Sequence, residues 1–175
     1  MQFTLAHKEN LSYNTQGDFM ATKTNAVRLV EQAGYSCKEE FYEYDENDLN
    51  GNHAAKAIGL PPEQVFKTLV TRGARTGINV FCIPVCCELD LKKAAKAAGD
   101  KSIEMLPMKD LLATTGYIRG GCSPIGMKKK YPTYIDETCT LYDFISVSAG
   151  ERGHQMLIPY CAIENLCNAV LSDII

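Results

Sequence analysis

Residues 65–85, VFKTLVTRGARTGINVFCIPV, predict a β-hairpin at the centre of the fold. The runs VFKTLVTR (65–72) and INVFCIPV (78–85) are rich in β-branched and aromatic residues, and the glycine-containing turn RGARTG joins them. Such a short connection favours antiparallel pairing of the two runs. The second run is nearly all apolar, so we expect it to be a central strand of its sheet.

Five segments around this hairpin have the apolar spacing and the end signals of short helices. The first predicted helix begins at Ala26, after a cap at Thr24 or Asn25, and ends at Gly34. The other four are HAAKAIG (53–59), capped by Asn52; LKKAAKAAG (91–99), capped by Asp90; PMKDLLATT (107–115); and AIENLCNAVLSD (162–173).

Five further segments predict strands. They are FYEYDE (41–46), SIEML (102–106), YPTYID (131–136), FISVSAG (144–150) and QMLIPY (155–160). The last three follow one another without crossover helices, which argues against a doubly wound fold. The order of elements therefore predicts an α+β protein, with a mixed β-sheet or small β-barrel flanked by helices.

Length and composition indicate one domain. The chain has 175 residues, 46% of them hydrophobic, and we predict a polar N-terminal extension at residues 1–21 and a single domain at residues 22–175. The formal net charge of −3 excludes a uniformly basic surface, so any contact with nucleic acid must be local. The apolar runs are too short to span a membrane, and residues 1–20 lack the features of a signal peptide, so we predict a cytoplasmic protein.

The eight cysteines raise two alternatives that their pattern does not favour. A disulfide scaffold suits small secreted domains with little core, whereas this chain has an ample core. A zinc site would be expected to contain a CxxC pair, and the sequence has none. We predict reduced thiols and no metal, with Cys82, Cys86 and Cys87 serving as buried small hydrophobes in an apolar run.

Two features could supply chemistry. Lys67 lies within a predicted strand, on the same face as Val65 and Leu69, and such a lysine either extends to solvent or faces a cavity that needs an ammonium group. The glycine loop, GGCSPIG at residues 120–126, contains three glycines that let backbone groups approach a ligand closely. Its spacing matches neither a Walker loop nor GxGxxG, and an ordinary tight loop is the alternative interpretation.

Other candidates each have a functional and a structural interpretation. Lys128–Lys130, the strongest basic cluster, could bind a phosphate backbone or form a solvated turn. Asp136 could orient a lysine, hydroxyl or amine, or cap the turn that follows it. Tyr42 could wall a pocket or pack in the core. Because no Ser-His-Asp or Cys-His arrangement is persuasive, the residues favour a metal-free site built from backbone groups and one lysine.

Four motifs occur along the chain in this order: FKTL (66–69), LDLKKAAK (89–96), TGYIRGGCSPIG (115–126) with its trailing lysines, and SAGERG (148–153). The same motifs in the same order are seen in the YbaK family, which this sequence resembles. That family comprises aminoacyl-tRNA deacylases related to the editing insertion of bacterial prolyl-tRNA synthetases. The resemblance covers about residues 22–175 and favours the functional interpretation of Lys67 and of the glycine loop.

The resemblance implies a trans-editing hydrolase that cleaves the ester of misacylated tRNA, most of all Cys-tRNA(Pro), without a metal or other cofactor. The expected partners are the acceptor end of the tRNA and prolyl-tRNA synthetase. Together with the residue chemistry it assigns catalysis to Lys67, Gly120 and Gly121, substrate contacts to Tyr42, Thr68, Cys122, Ser123, Pro124 and Asp136, and tRNA contacts to Arg119, Lys128, Lys129, Lys130 and Arg152. Two alternatives stay open: a deacylase for another misacylated tRNA such as Ala-tRNA(Pro), and a non-catalytic module that binds a tRNA end or a nucleotide.

The chemistry of the reaction agrees with this site. An aminoacyl ester is already activated, so its hydrolysis needs positioning and stabilisation of a developing oxyanion more than a powerful nucleophile. Lys67 and the loop amides could supply that positive field. For a cysteinyl substrate, the family mechanism resembles cleavage in which the substrate's own thiol attacks the ester, and such a route needs no base from the protein.

Overall fold

The computed structural model describes residues 11–13, 19–21 and 23–175, which form ten strands and five α-helices. The strands are β1 (Leu11–Tyr13), β2 (Phe19–Ala21), β3 (Lys38–Phe41), β4 (Phe66–Gly73), β5 (Gly77–Pro84), β6 (Ile103–Met105), β7 (Thr133–Asp136), β8 (Ile145–Glu151), β9 (His154–Ile158) and β10 (Val170–Ser172). The helices are α1 (Asn25–Gln32), α2 (Gly51–Ile58), α3 (Leu91–Ala97), α4 (Met108–Thr115) and α5 (Tyr160–Cys167).

The predicted hairpin lies at the centre of a five-stranded sheet with the order β10-β7-β5-β4-β6. β4 and β5 pair antiparallel from Phe66 opposite Pro84 to Gly73 opposite Gly77. β7 runs parallel to β5, whereas β6 runs antiparallel to β4, so the sheet is mixed. Both the hairpin and the central position of its second strand are confirmed.

A smaller antiparallel sheet, with the order β3-β9-β8, adjoins the first. The two sheets meet where the chain enters β4, through a parallel bridge between Val65 and Ser146. The α+β class is therefore confirmed, with a mixed sheet that carries helices on its faces.

Helices cover the sheets through separate apolar clusters. The largest cluster joins α1 and α5 to the small sheet and includes buried Val27, Val30, Ile145, Met156, Ile158 and Ile163. On the other face of the large sheet, Phe81 and Ile83 pack with Ala94 and Ala95 of α3. A third cluster places Ala55 of α2 against Val65 and Val85, which brings α2 to the entrance of β4.

The helix boundaries follow local capping chemistry. The Thr24 hydroxyl accepts a hydrogen bond from the Val27 N–H (3.2 Å), and the Asp90 carboxylate accepts from the N–H groups of Lys92 and Lys93. Gly59 ends α2 in the left-handed conformation, with φ 71°. The predicted caps at Thr24 and Asp90 are confirmed.

Several boundaries differ from the predictions, and three of them show the cause. The predicted strand FYEYDE begins three residues too late, because β3 ends at Phe41, opposite the first residue of β9. The cap of α2 is Asn50 and not Asn52, because the Asn50 side chain accepts from the N–H of Asn52. The predicted last helix stops at Cys167: Asn168 takes a left-handed conformation, and the chain then enters β10, which pairs with β7.

Cys82 is buried as predicted, but Cys86 is exposed and Cys87 only half-buried, because the chain leaves β5 at Pro84. No disulfide joins the eight cysteines, all of which lie within the described residues 23–175.

Only part of the predicted polar extension, residues 1–21, is described, namely the antiparallel pair β1 and β2; the remainder of that prediction lies outside the described residues. Among the described residues, no helix has the length and apolar character needed to cross a membrane.

Candidate active site

A cavity of ≈ 370 Å³ lies beside the first half of β4. Its walls come from β4, the segment before α2 together with the start of α2, the helix α4, the glycine loop, and the neighbouring strands β8 and β9. The predicted site residues that line this catalytic cavity are Tyr42, Lys67, Thr68, Arg119, Gly120 and Cys122. Segments far apart in sequence thus meet at one place.

Lys67 is positioned at the Val85 end of the cavity. Its Nζ lies 3.5 Å from the carbonyl oxygen of Val85, which also lines the cavity, and 3.4 Å from Oε1 of Glu88. The Lys67 side chain is 26% exposed, whereas that of Glu88 is 93% exposed. An ion pair with so exposed a partner is weak, so the ammonium group can exchange Glu88 for a substrate oxygen.

Thr68 and Tyr42 both line the cavity. Within the described part of the chain, the buried Oγ1 of Thr68 has no hydrogen-bond partner of ordinary geometry, although the weakly bonding thiol of Cys82 is its neighbour. An unsatisfied buried hydroxyl is costly, and a ligand that bonds to it would remove that cost. Tyr42 is held through its N–H, which donates to the carbonyl of Gly153 (2.9 Å), and burial raises the pKa of its phenol.

The first two glycines of the loop, Gly120 and Gly121, are required for different reasons. Gly120 lines the cavity with φ +84°, a left-handed conformation that favours glycine. Gly121 does not line the cavity, but a Cβ there would lie 2.9 Å from the carbonyl carbon of Glu151, at the end of β8. The Gly121 N–H already donates to the carbonyl of Ile118 (3.1 Å), so it is not available to an oxyanion.

Cys122 contributes a small, neutral side chain to the cavity. Burial raises the pKa of its thiol to about 12, so the thiol is protonated at neutral pH. A protonated thiol is a poor nucleophile, because the thiolate is the reactive species. Cys122 therefore serves as a wall of the cavity.

Three predicted substrate contacts lie outside the lining. The buried Ser123 hydroxyl accepts from the N–H of Ile125, and the carbonyl of Pro124 accepts from the thiol of Cys167. Asp136 is 1% exposed; its carboxylate caps the turn at Thr138 and accepts from the Ile174 N–H. These groups hold the loop and the C-terminal segment in place, and contact between them and a substrate stays a prediction.

The predicted tRNA contacts are divided between two places. Arg119 lines the catalytic cavity. Arg152 holds Arg119 in place, because the Arg152 Nε donates to the Arg119 carbonyl. The Arg152 Nη1 pairs with Glu46 at 2.9 Å. Lys128 and Lys129 instead line a second cavity, at the far end of the β4–β5 hairpin. Lys130 is exposed and lines neither of these cavities.

Sequence reasoning missed several lining residues. His53 lies at the start of α2, with its ring centroid 6.4 Å from that of Tyr42. Met105, at the end of β6, forms an apolar wall together with Met108 and Leu111 of α4. No spacing links residues from such separate elements. The position of His53 in the first turn of a predicted helix was the only local signal available.

The comparisons with known proteins agree with this geometry. The family model described as "Aminoacyl-tRNA editing domain" matches residues 51–166, which is most of the chain. The chain therefore belongs to the aminoacyl-tRNA editing domain family, and the resemblance to YbaK-type deacylases is confirmed.

The relatives extend this result. The chain is 51% identical over 152 residues to the Enterococcus faecalis protein named "Putative Cys-tRNA(Pro)/Cys-tRNA(Cys) deacylase EbsC", covering 87% of this chain and 93% of that protein. It is 28% identical over 103 residues to a proline–tRNA ligase of Shouchella clausii, covering 59% of this chain and 18% of the ligase. A crystal structure described as "a putative trans-editing enzyme for prolyl tRNA synthetase" has the same fold, with a TM-score of 0.71, 22% identity, and coverage of 87% of this chain and 98% of that one.

Proposed function

We propose that this protein is an aminoacyl-tRNA deacylase that hydrolyses the ester of Cys-tRNA(Pro), releasing cysteine and tRNA. The name of the E. faecalis relative supports this substrate, since that protein matches the chain over almost its whole length. The observation that carries the proposal is the cavity, which combines one ammonium group, an unsatisfied hydroxyl and a neutral thiol. Its ≈ 370 Å³ suits a small ligand, so only the aminoacylated terminal nucleotide would enter it.

In this proposal Lys67 supplies the charge that catalysis requires. As the ester carbonyl becomes tetrahedral, its oxygen becomes negative, and the Lys67 ammonium leaves the exposed Glu88 carboxylate to stabilise it. The Gly121 amide is already engaged within the loop, so positive charge in the lining comes from the side chains of Lys67 and Arg119. Thr68 would donate its hydroxyl to the substrate and hold the ester in position.

The nucleophile would come from the substrate. The cysteinyl thiol attacks its own ester carbonyl, a carbon–sulfur bond forms, the carbon–oxygen bond to the ribose breaks, and the thiol proton passes to the leaving ribose oxygen. The product is tRNA together with a β-thiolactone, which water then opens to give free cysteine. The protonated Cys122 thiol is consistent with this route, since it would not compete as the nucleophile.

Hydrolysis of a panel of charged tRNAs tests the function. We expect rapid deacylation of Cys-tRNA(Pro) and no reaction with Pro-tRNA(Pro). Ala-tRNA(Pro) has no side-chain nucleophile and should react no faster than the seryl substrate. Cys-tRNA(Cys) shows whether the enzyme distinguishes between the two tRNAs. Ser-tRNA(Pro) should react at least ~100-fold more slowly than Cys-tRNA(Pro), because a hydroxyl is a much weaker nucleophile than a thiol. EDTA or phenanthroline should leave the rates unchanged, because no metal is required.

The outcomes separate the parts of the proposal. Equal rates with Cys- and Pro-tRNA(Pro) would exclude selective editing of this substrate. No reaction with either tRNA would exclude the deacylase and favour a binding module. Equal rates with cysteinyl and seryl substrates would retain the deacylase and exclude attack by the substrate thiol. Inhibition by chelators, reversed by added zinc, would contradict the metal-free mechanism.

The proposal places the enzyme in the cytoplasm, where it would act in trans on tRNA charged by prolyl-tRNA synthetase. The proline–tRNA ligase relative supports this link, because a segment of that synthetase matches the chain. Stimulation of deacylation by purified prolyl-tRNA synthetase, measured at limiting tRNA, would test a direct partnership.

A further inference from the structure

A second cavity, the basic cleft, lies at the turn of the β4–β5 hairpin and has a volume of ≈ 610 Å³. Four cationic side chains line it: Arg72 and Arg75 from the hairpin, and Lys128 and Lys129 from the segment that follows the glycine loop. Tyr131 and the end of α4 complete its wall. Sequence reasoning singled out the lysines but not the arginines, which lie more than fifty positions earlier in the chain.

The cleft is held in shape by internal hydrogen bonds. The Asp100 side chain, which has no exposed surface, accepts from the N–H groups of Arg75 and Thr76 and thereby fixes the hairpin turn. On the opposite side, the Tyr131 hydroxyl donates to the carbonyl of Thr114 (2.9 Å). The backbone segments that carry the cations are thus held by hydrogen bonds.

Carboxylates offset only part of this charge. Asp110 lies 3.8 Å from the Arg72 guanidinium, Asp100 lies 4.0 Å from the Nε of Arg75, and Glu104 is opposite Arg72 in the sheet register. Lys129 is exposed, and no ion pair involves it among the described residues. In a chain of net charge −3, this local concentration of cations is suited to a polyanion.

The basic cleft lies next to the catalytic cavity along β4. Along β4, Val70 lines the catalytic cavity and Arg72 lines the cleft, a separation of about 7 Å at the usual rise of a strand. Along α4, Leu111 lines the catalytic cavity and Ala113 lines the cleft. A strand of nucleic acid whose end occupies the catalytic cavity would therefore have its backbone beside the cleft.

We infer that the basic cleft binds the sugar-phosphate backbone of the tRNA acceptor arm while the aminoacylated end occupies the catalytic cavity. This inference rests on the proposed function, because it takes tRNA as the substrate. Phosphates are recognised here by charge and not by sequence, so the cleft would contribute affinity and orientation without selecting the amino acid.

Binding of uncharged tRNA(Pro) to the full chain, measured at several salt concentrations, tests the inference. The double variant Arg72→Gln/Lys129→Gln removes one cation from each side of the cleft. We expect its affinity at low salt to fall about tenfold, and the slope of log K against log salt to decrease by about 1.4 to 1.8, for two lost phosphate contacts. The matched control Lys23→Gln/Lys38→Gln removes two lysines that line neither cavity and should change the slope by much less.

A second measurement uses the cysteinyl ester of adenosine, which carries no phosphate. Its hydrolysis should be equal in the wild type and in both double variants. Three outcomes would each overturn the inference. The two double variants could lose tRNA affinity equally, or the salt slope could stay unchanged. The third is slower hydrolysis of the adenosine ester in the Arg72/Lys129 variant alone. Because uncharged tRNA needs no turnover, a protein that binds it through the cleft but deacylates nothing would exclude the proposed function and support the cleft.

Discussion

The catalytic cavity and the basic cleft share β4 and α4 as walls, yet they are built differently. The catalytic cavity draws its lining from segments between Tyr42 and Gln155, and its lysine is a single residue at one end. The basic cleft carries four cations around one hairpin turn and one loop. The chemical step thus depends on the position of individual groups, whereas attraction of a phosphate backbone depends on the sum of several charges.

This contrast predicts that single substitutions are far more damaging in the catalytic cavity than in the cleft. The strongest test is Lys67→Ala, which removes the lysine that lines the catalytic cavity. We expect the single-turnover rate with Cys-tRNA(Pro) to fall about 10² to 10³-fold, as for loss of an oxyanion-stabilising group, with tRNA affinity changed less than about twofold.

Lys38→Ala is the matched control, because Lys38 is also a strand lysine and lines neither cavity. It should retain the wild-type rate. Full turnover by the Lys67→Ala variant would show that Lys67 is only a surface charge and would remove the difference between the two regions.

The second test compares a glycine of the glycine loop, next to the catalytic cavity, with a glycine of the hairpin turn at the basic cleft. In Gly121→Val, the new side chain would meet the backbone of Glu151 and displace the glycine loop, so we expect about a tenfold lower rate at saturating tRNA and a Tm lower by several degrees. Gly77→Ala, in the hairpin turn beside the cleft, meets no atom within 4 Å but has φ +74°. It should lower the Tm without slowing hydrolysis of the adenosine ester.

A Gly121→Val protein that binds tRNA more weakly but reacts at the wild-type rate would contradict this assignment. In that case the loop would serve RNA binding, and the chemical step would tolerate its displacement.

The smallest effect is expected for Asp100→Asn, which acts on the framework of the cleft. Hydrogen bonds from the N–H groups of Thr76 and Arg75 hold the pKa of the Asp100 carboxyl well below its usual range. A carboxyl whose pKa is lower in the folded state stabilises the protein above its unfolded pKa of about 4 and loses that contribution as the pH falls. The difference in Tm between wild type and variant should therefore be largest near neutral pH and shrink below about pH 4.

Hydrolysis of the adenosine ester should be unaffected by Asp100→Asn, because Asp100 lies outside the catalytic lining. A difference in Tm that stays constant between pH 7 and pH 3 would show that the ionised form of Asp100 is not what stabilises the turn.

Local features of the fold were predictable where their causes are local. Thr24 and Asp90 cap their helices through contacts two or three residues away, and the hairpin around Gly77 is specified by its own turn and by the β-forming residues that flank it. Features that depend on a distant partner have boundaries in the structure that differ from the predicted ones. β3 stops where β9 stops pairing with it, and the segment from Val170 becomes a strand because β7 lies beside it.

The same distinction applies to the candidate site residues. The amino-acid sequence alone identified the family and pointed to Lys67 and the glycine loop, because motifs are runs of neighbouring residues. Only the tertiary structure decided that His53 shares a cavity with Lys67, and that Lys129 joins Arg72 in a cleft from which Lys130 is absent. Distances between remote segments follow from sheet register and the packing of helices on the sheet, and these depend on contacts across the whole fold and not on the residues adjacent in the chain.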